Sequence, residues 1–172
     1  MFQQVEPMIP ALRRYARALM KERDAADDLV QDCLERVITH WDDRRSSGDT
    51  RSWVFAILHN LAMSALRKNT TAGIRQVAIE DVAESLSTRA TQEDGLIYQD
   101  LLNAVDTIPP EQRSVLLLVS LEDMSYAEVA KTLDIPVGTV MSRLSRARDR
   151  LVRLIGGARQ HAGPAATLRR VK

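Results

Sequence analysis

Four arginines near the C-terminal end of this 172-residue chain are spaced for chemistry with a polyanion. Arg143, Arg146, Arg150 and Arg153 step by three and four, which on a helix gathers them along one flank. A guanidinium group in that setting pairs with phosphate or grips a guanine edge bidentately. Val140, Leu144, Ala147, Leu151 and Leu154 form an apolar stripe beside them, and Thr139 and Ser142 stand near the helix start. A solvated amphipathic helix would account for the row equally well. The preceding segment tips the balance. Ser125-Tyr126-Ala127-Glu128 has the spacing of a capping box and opens a short helix, and residues 134–138 make a tight turn. A short capped helix, a turn and a longer basic helix have the layout of a helix-turn-helix, whose second helix enters the DNA major groove.

Two further groupings lie in the first half. Asp28, Gln31, Asp32 and Glu35 fall on one helical stripe. Paired carboxylates invite an acid–base or metal reading, but no histidine lies at a suitable spacing, and His40, His59 and His161 are scattered. A docking surface for a basic partner fits better, with a plain solvated face as the simpler reading. Trp53 and Phe55 are two of only seven aromatics, accompanied by Arg51, His59, Asn60, Arg67 and Lys68. Aromatics interleaved with basic and amide groups suit stacking on unpaired bases. Trp53 also belongs to an apolar stripe, so burial competes with that reading. No nucleophile–base pairing and no phosphate-binding glycine loop is present, so an enzyme is not expected, and no metal or cofactor is expected.

Helical periodicity positions all of these residues. The spacing predicts helices over 8–20, with Leu12, Ala16 and Leu19 inward, and over 24–41, with Leu29, Val30, Cys33, Leu34, Val37, Ile38 and Trp41 inward. A polar cluster at 42–50 ends the second helix. Asp49 or Thr50 caps a third that reaches residue 68, with Trp53, Val54, Ile57, Leu58, Leu61 and Ala65 buried. Residues 69–95 have weak periodicity and read as a flexible linker. Further helices are expected over 96–106, 111–121 and 137–155, the last ended by Gly156-Gly157, with a disordered tail over 156–172. The expected fold class is therefore all-α, with two small helical domains, 1–68 and 96–155. Formal charge by segment is +1 for 1–68, −3 for 69–95, −5 for 96–135 and +8 for 136–172, so contact with a polyanion should be local. A lone cysteine, Cys33, and the lack of any long apolar run point to a cytoplasmic protein with no membrane insertion.

AADDLVQDCLERVI followed by DTRSWVFAILHNLAMSALRK resembles the region-two domain of an extracytoplasmic-function sigma factor. IPPEQRSVLLLVSLEDMSYAEVAKTLDIPVGTVMSRLSRARDRL resembles its region-four domain. The two motifs stand in the right order and together span roughly residues 8–155. The resemblance implies a transcription-initiation subunit that binds bacterial core RNA polymerase and promoter DNA and is held by an anti-sigma factor. Asp28, Gln31, Asp32 and Glu35 would dock on the polymerase. Arg51, Ser52, Trp53, Phe55, His59 and Asn60, with the loop 44–50, would open and read the minus-ten element. Thr139, Ser142, Arg143 and Arg146 would read the minus-thirty-five element, with Arg150, Ser125 and Tyr126 on its phosphates. Met141 and Ser145 stand where many members carry a basic and a larger residue, and Ser64 where many carry aspartate. With the opening IPALRRYARALM, Ser64 resembles the alphaproteobacterial general-stress subgroup. A sigma-like decoy for an anti-sigma factor and a stand-alone helix-turn-helix regulator are the alternatives. The arginine flank and acidic stripe argue against the first, and the first domain is left without a role by the second.

Overall fold

The computed structural model describes residues 1–20, 22–43, 49–71 and 103–161, with side chains for all but 69–71 and 155–161. Among these residues every regular element is helical. Helix α1 (Phe2–Val5) leads through a 3₁₀ turn (Glu6–Met8) into α2 (Ile9–Leu19), followed by α3 (Arg23–Thr39) and α4 (Thr50–Thr71). After a helical stretch at 103–106 come α5 (Pro110–Ser120), α6 (Tyr126–Leu133) and α7 (Val137–His161).

Local chemistry sets the helix starts. The Asp49 carboxylate accepts from the backbone amides of Arg51 and Ser52, at 3.0 and 3.2 Å, and from the Ser52 hydroxyl at 2.6 Å. These bonds satisfy orphan donors at the start of α4 and hold the Asp49 carboxyl below its ordinary range, the Ser52 hydroxyl being the largest cause. Ser125 and Glu128 form the expected capping box, Ser125 Oγ accepting at 3.3 Å and Glu128 Oε2 accepting at 2.7 Å. Asp134 then turns left-handed (φ 52°) to end α6, and the Pro136 carbonyl accepts from the Thr139 and Val140 amides in the first turn of α7.

The α2 stripe is buried as expected, with Tyr15 added, and so are Leu29, Val30, Cys33 and Val37 of α3. The Cys33 thiol lies 3.6 Å from the Val54 carbonyl, and burial pushes its pKa up to about 12. Ile38, expected inside, is 54% exposed. Helix α7 runs through Gly156-Gly157 to His161, so its end and the start of the expected tail are both corrected. Residues 72–95, most of the expected linker, and 162–172 lie outside the described residues, as do 96–102.

The cores of the two domains are continuous. Val54, Phe55, Leu58 and Ala62 of α4 join one buried cluster with Tyr15 of α2, Val115 and Leu118 of α5, Val129 of α6 and Leu144 of α7. Helix α4 is apolar over much of its circumference, and it touches both α3 and α6. A helix of that kind is stable only when covered from more than one side.

Candidate nucleic-acid interface

Helix α3 presents Asp28, Gln31, Asp32 and Glu35 outward, all exposed. Gln31 Nε2 donates to Glu35 Oε1 at 3.1 Å, and the exposed Ile38 continues the same stripe. Asp27, one position earlier, turns away to pair with Arg17 at 3.2 Å and fastens α3 to α2. Exposed carboxylates ending on an exposed apolar side chain can bind a basic surface with an apolar notch.

The six residues expected at the minus-ten element do not share one face. Trp53 is half-buried and Asn60 exposed, and both line a cleft of about 290 Å³ with Arg36, His40 and Ile57. Trp41 meets Trp53 edge-on, ring centroids 6.1 Å apart at 69°, which fixes the indole as one wall. Arg36 and His40 belong to the end of α3 and were not singled out by the sequence. Their spacing of four was visible there, but only the crossing of α3 and α4 brings them to Trp53.

Ser52 and Phe55 are turned inward, against expectation. Ser52 is 3% exposed because its hydroxyl is spent on Asp49. Phe55 is fully buried, its ring meeting Tyr15 edge-on at 5.6 Å, and Arg51 lies over it at 5.7 Å. Neither reaches a base in this arrangement. His59 is half-buried with Nδ1 3.1 Å from the Tyr15 hydroxyl. Burial pushes its pKa down to about 4, and the charges of Arg143 and Arg67 add to the fall. Arg51 is held by Glu122, which lies in the turn between α5 and α6, at 3.2 Å to Oε2 and 2.6 Å to the backbone carbonyl. Of the loop 44–50, residues 44–48 lie outside the described residues.

In the second domain Val140, Leu144 and Ala147 are buried, leaving Arg146 and Arg150 exposed on the flank of α7. Arg143 is half-buried and drawn to Glu111 at 2.9 Å. Thr139 and Ser142 are half-buried, and the Ser142 hydroxyl donates to the Thr139 carbonyl at 3.1 Å. Ser125 is exposed but occupied by its capping box, and Tyr126 is partly exposed beside it. Among the described residues no cluster of His, Cys, Asp or Glu is arranged to hold a metal ion, and no helix is long and apolar enough to cross a membrane.

Two family models match: the Sigma2 domain of PhyR over residues 5–59, and Sigma-70, region 4, over residues 98–151. The ECF RNA polymerase sigma factor EcfG of Rhodopseudomonas palustris is 35% identical over 169 residues, covering 95% of this chain and 90% of that protein. The sigma factor RpoE of Bartonella quintana, solved with the anti-sigma factor NepR, is 30% identical with a TM-score of 0.73, over 90% of this chain and 95% of that one. The anti-anti-sigma factor PhyR, solved with NepR from the same organism, shares the fold at 14% identity and a TM-score of 0.58, over 88% of this chain and 49% of that one. With that identity maintained across nearly the whole of both chains, and with region two and region four both in place, the chain belongs to the extracytoplasmic-function RNA polymerase sigma factors.

Proposed function

We propose that this sigma factor works through three surfaces to bring core RNA polymerase to a promoter. Helix α3 docks on the polymerase through Asp28, Gln31, Asp32 and Glu35, with Ile38 as an apolar anchor at the end of the stripe. The cleft between α3 and α4 holds a base of the opened minus-ten element, with Trp53 to stack and Asn60 to hydrogen-bond. Catching an unstacked base offsets part of the cost of opening the duplex. Helix α7 reads the minus-thirty-five element through Arg143 and Arg146 with Thr139 and Ser142 beside them. Arg150, Ser125 and Tyr126 hold phosphates.

In this reading residues 1–68 and 96–155 act as separate promoter-binding units in the cytoplasm. The chain works by binding and leaves catalysis to the polymerase. An anti-sigma factor is its regulator, as NepR is found with the Bartonella RpoE. Arg51, Ser52, Phe55 and His59 enter the minus-ten function indirectly in the arrangement described. They seat α4 and therefore the Trp53 wall of the cleft.

The observation that carries the reading is the α3 stripe: four polar side chains exposed together while the next face of the same helix is buried. Asp32→Arg tests it. Binding to core polymerase should be lost while the helical circular-dichroism signal and thermal midpoint stay unchanged, because Asp32 is exposed. Unchanged polymerase binding would contradict the assignment.

A second reading has one observation in its favour. The first domain matches the Sigma2 model of PhyR, and PhyR is an anti-anti-sigma factor. A decoy of that kind has no use for Arg146 and Arg150 exposed on a helix-turn-helix. Transcription from a promoter library with purified core polymerase separates the two, since a decoy initiates nowhere.

A further inference from the structure

The first turns of α7 expose one long apolar side chain, Met141, among small and polar ones, with the shorter Val137 before it and Val152 three turns later. The burial of Val140, Leu144 and Ala147 fixes how the helix sits. At about 100° per residue, Gly138, Ser142, Ser145 and Arg146 then occupy the side away from the core, with Met141 at its edge. Met141 is 55% exposed. A side-chain carbon added at Gly138 would meet nothing within 4 Å, and Ser145 is exposed, so this side of the helix is low and open around the methionine. Two polar side chains near the helix start have partners within the protein. Ser142 donates to the Thr139 carbonyl, and Arg143 is drawn aside by Glu111.

In the major groove the purine edges and the cytosine edge are read chiefly through donors and acceptors, which an aliphatic thioether satisfies only weakly through its sulfur. Thymine alone offers a methyl group there. Methionine is unbranched and adaptable, and it suits a contact whose geometry is set by the helix and not by its own shape. Resting on the region-four assignment above, we propose that Met141 is a specificity-determining residue of the minus-thirty-five contact and takes the 5-methyl group of a thymine. The small neighbours Gly138 and Ser145 let the helix approach closely enough for that contact.

The test uses the full chain with core polymerase on a promoter selected from a random library. Scrambling the whole minus-thirty-five element comes first. If it has no effect, region four does not read this element, and the proposal falls with that reading. Each thymine on either strand is then replaced in turn by deoxyuridine, which pairs identically and lacks only the methyl. One position should cost the wild type roughly three- to fivefold in holoenzyme affinity, the worth of one buried methyl group. The same position should be silent in Met141→Ala, while Val137→Ala, a neighbouring exposed apolar residue, keeps the wild-type response. The proposal is overturned if deoxyuridine is silent everywhere in the wild type, if Met141→Ala retains the loss, or if the selected elements lack thymine on both strands. Loss of binding to an anti-sigma factor in Met141→Ala, with promoter use unchanged, would assign this side chain to a protein partner instead.

Discussion

Glu122 joins the two domains, and replacing it separates what an ion pair contributes from what its shape contributes. Its side chain is 1% exposed, with Oε1 3.3 Å from Arg14 and Oε2 3.2 Å from Arg51. Charge-assisted N–H···O bonds normally measure about 2.7–2.9 Å, so these are long. Withdrawing a carboxylate from water costs several kcal/mol, and long bonds to arginines that are themselves 44% and 40% exposed return only part of it. The Glu122 carboxyl is raised above its ordinary value of 4.5, burial being the largest cause and outweighing both arginines. A folded-state value above the unfolded one means the folded chain holds the proton longer. The stabilisation linked to that proton is complete below pH 4.5 and is lost as pH rises through the raised value. At neutral pH the charged carboxylate is therefore less favourable inside than a neutral group of the same shape. Glu122→Gln should leave the unfolding free energy at pH 7 unchanged or raise it by up to about 1–2 kcal/mol. The advantage over wild type should shrink as pH falls toward 4.5. Glu122→Ala also deletes the shape, but Arg14 reaches water and Arg51 keeps its bond to the backbone carbonyl at 122, so the loss should be about 1–2 kcal/mol and not the 3–5 of a stranded buried charge. Urea unfolding followed by circular dichroism across pH 4.5–8 measures all three proteins. If Glu122→Gln lost more than about 3 kcal/mol at pH 7 and matched wild type at pH 4.5, the ionised bridge would be a main support and the reasoning would fail.

Phe55→Ala should destabilise the chain by about 3–5 kcal/mol in urea unfolding, as deletion of a buried ring does, whereas Trp53→Ala, which removes a ring half-buried against Trp41, should cost only about 1–2 kcal/mol and reduce permanganate-detected opening of the minus-ten element. The reverse pattern would place Phe55, and not Trp53, on the DNA. His59 should titrate by NMR near pH 4, with stability falling as pH drops below 6.5, since the unfolded chain takes up the proton first. A midpoint near 6.5 would show the imidazole in water. Arg146→Ala should weaken holoenzyme binding by about 1–3 kcal/mol at one minus-thirty-five base pair if it reads a base, and equally on every sequence if it touches only phosphate.

The features the sequence revealed are those decided within a few residues. The capping box at Ser125, the turn at Asp134 and the apolar stripe of α7 as far as Leu151 depend on near neighbours and were all legible, whereas Leu154, placed in the same stripe, is exposed. The side of α4 that faces inward was not. Val54 and Leu58 follow the expected stripe, but Ser52 and Phe55 are buried as well, because α6 and Tyr15 arrive from elsewhere in the chain. An aromatic beside arginine looks the same in sequence whether it waits for a base or for another ring. Ile38 erred in the opposite direction, fitting the apolar period of α3 but lying past the edge of what covers that helix. Gly156-Gly157 suggested a stop, yet two glycines cost only about 1 kcal/mol each in a helix, and α7 continues through both. The cleft beside Trp53 needed Arg36 and His40 from a second helix, a juxtaposition that no local pattern carries.

The continuous core bears directly on how promoter recognition proceeds. The names of the two promoter elements put them about 25 base pairs apart, roughly 85 Å along B-form DNA at 3.4 Å per step. If each domain takes one element, as proposed above, two domains that share one buried cluster cannot reach both at once. On that assignment promoter binding requires α4 and α6 to part, exposing the apolar surface to which Phe55 and Val129 now contribute, with the polymerase supplying surfaces that offset this exposure. The composition of the interface makes separation feasible. Its ion pairs, the Glu122 carboxylate with Arg14 and Arg51, are long bonds around a carboxylate that burial disfavours, so breaking them at neutral pH returns solvation to three charged groups. A shorter bond, from Arg51 to the Glu122 backbone carbonyl at 2.6 Å, must break as well. Apolar contact holds the closed arrangement together, while the ion pairs fix its register and cost little to break. A sigma factor that must be stable alone and yet open on its polymerase is served by that division, because the polymerase has to replace only the apolar contact.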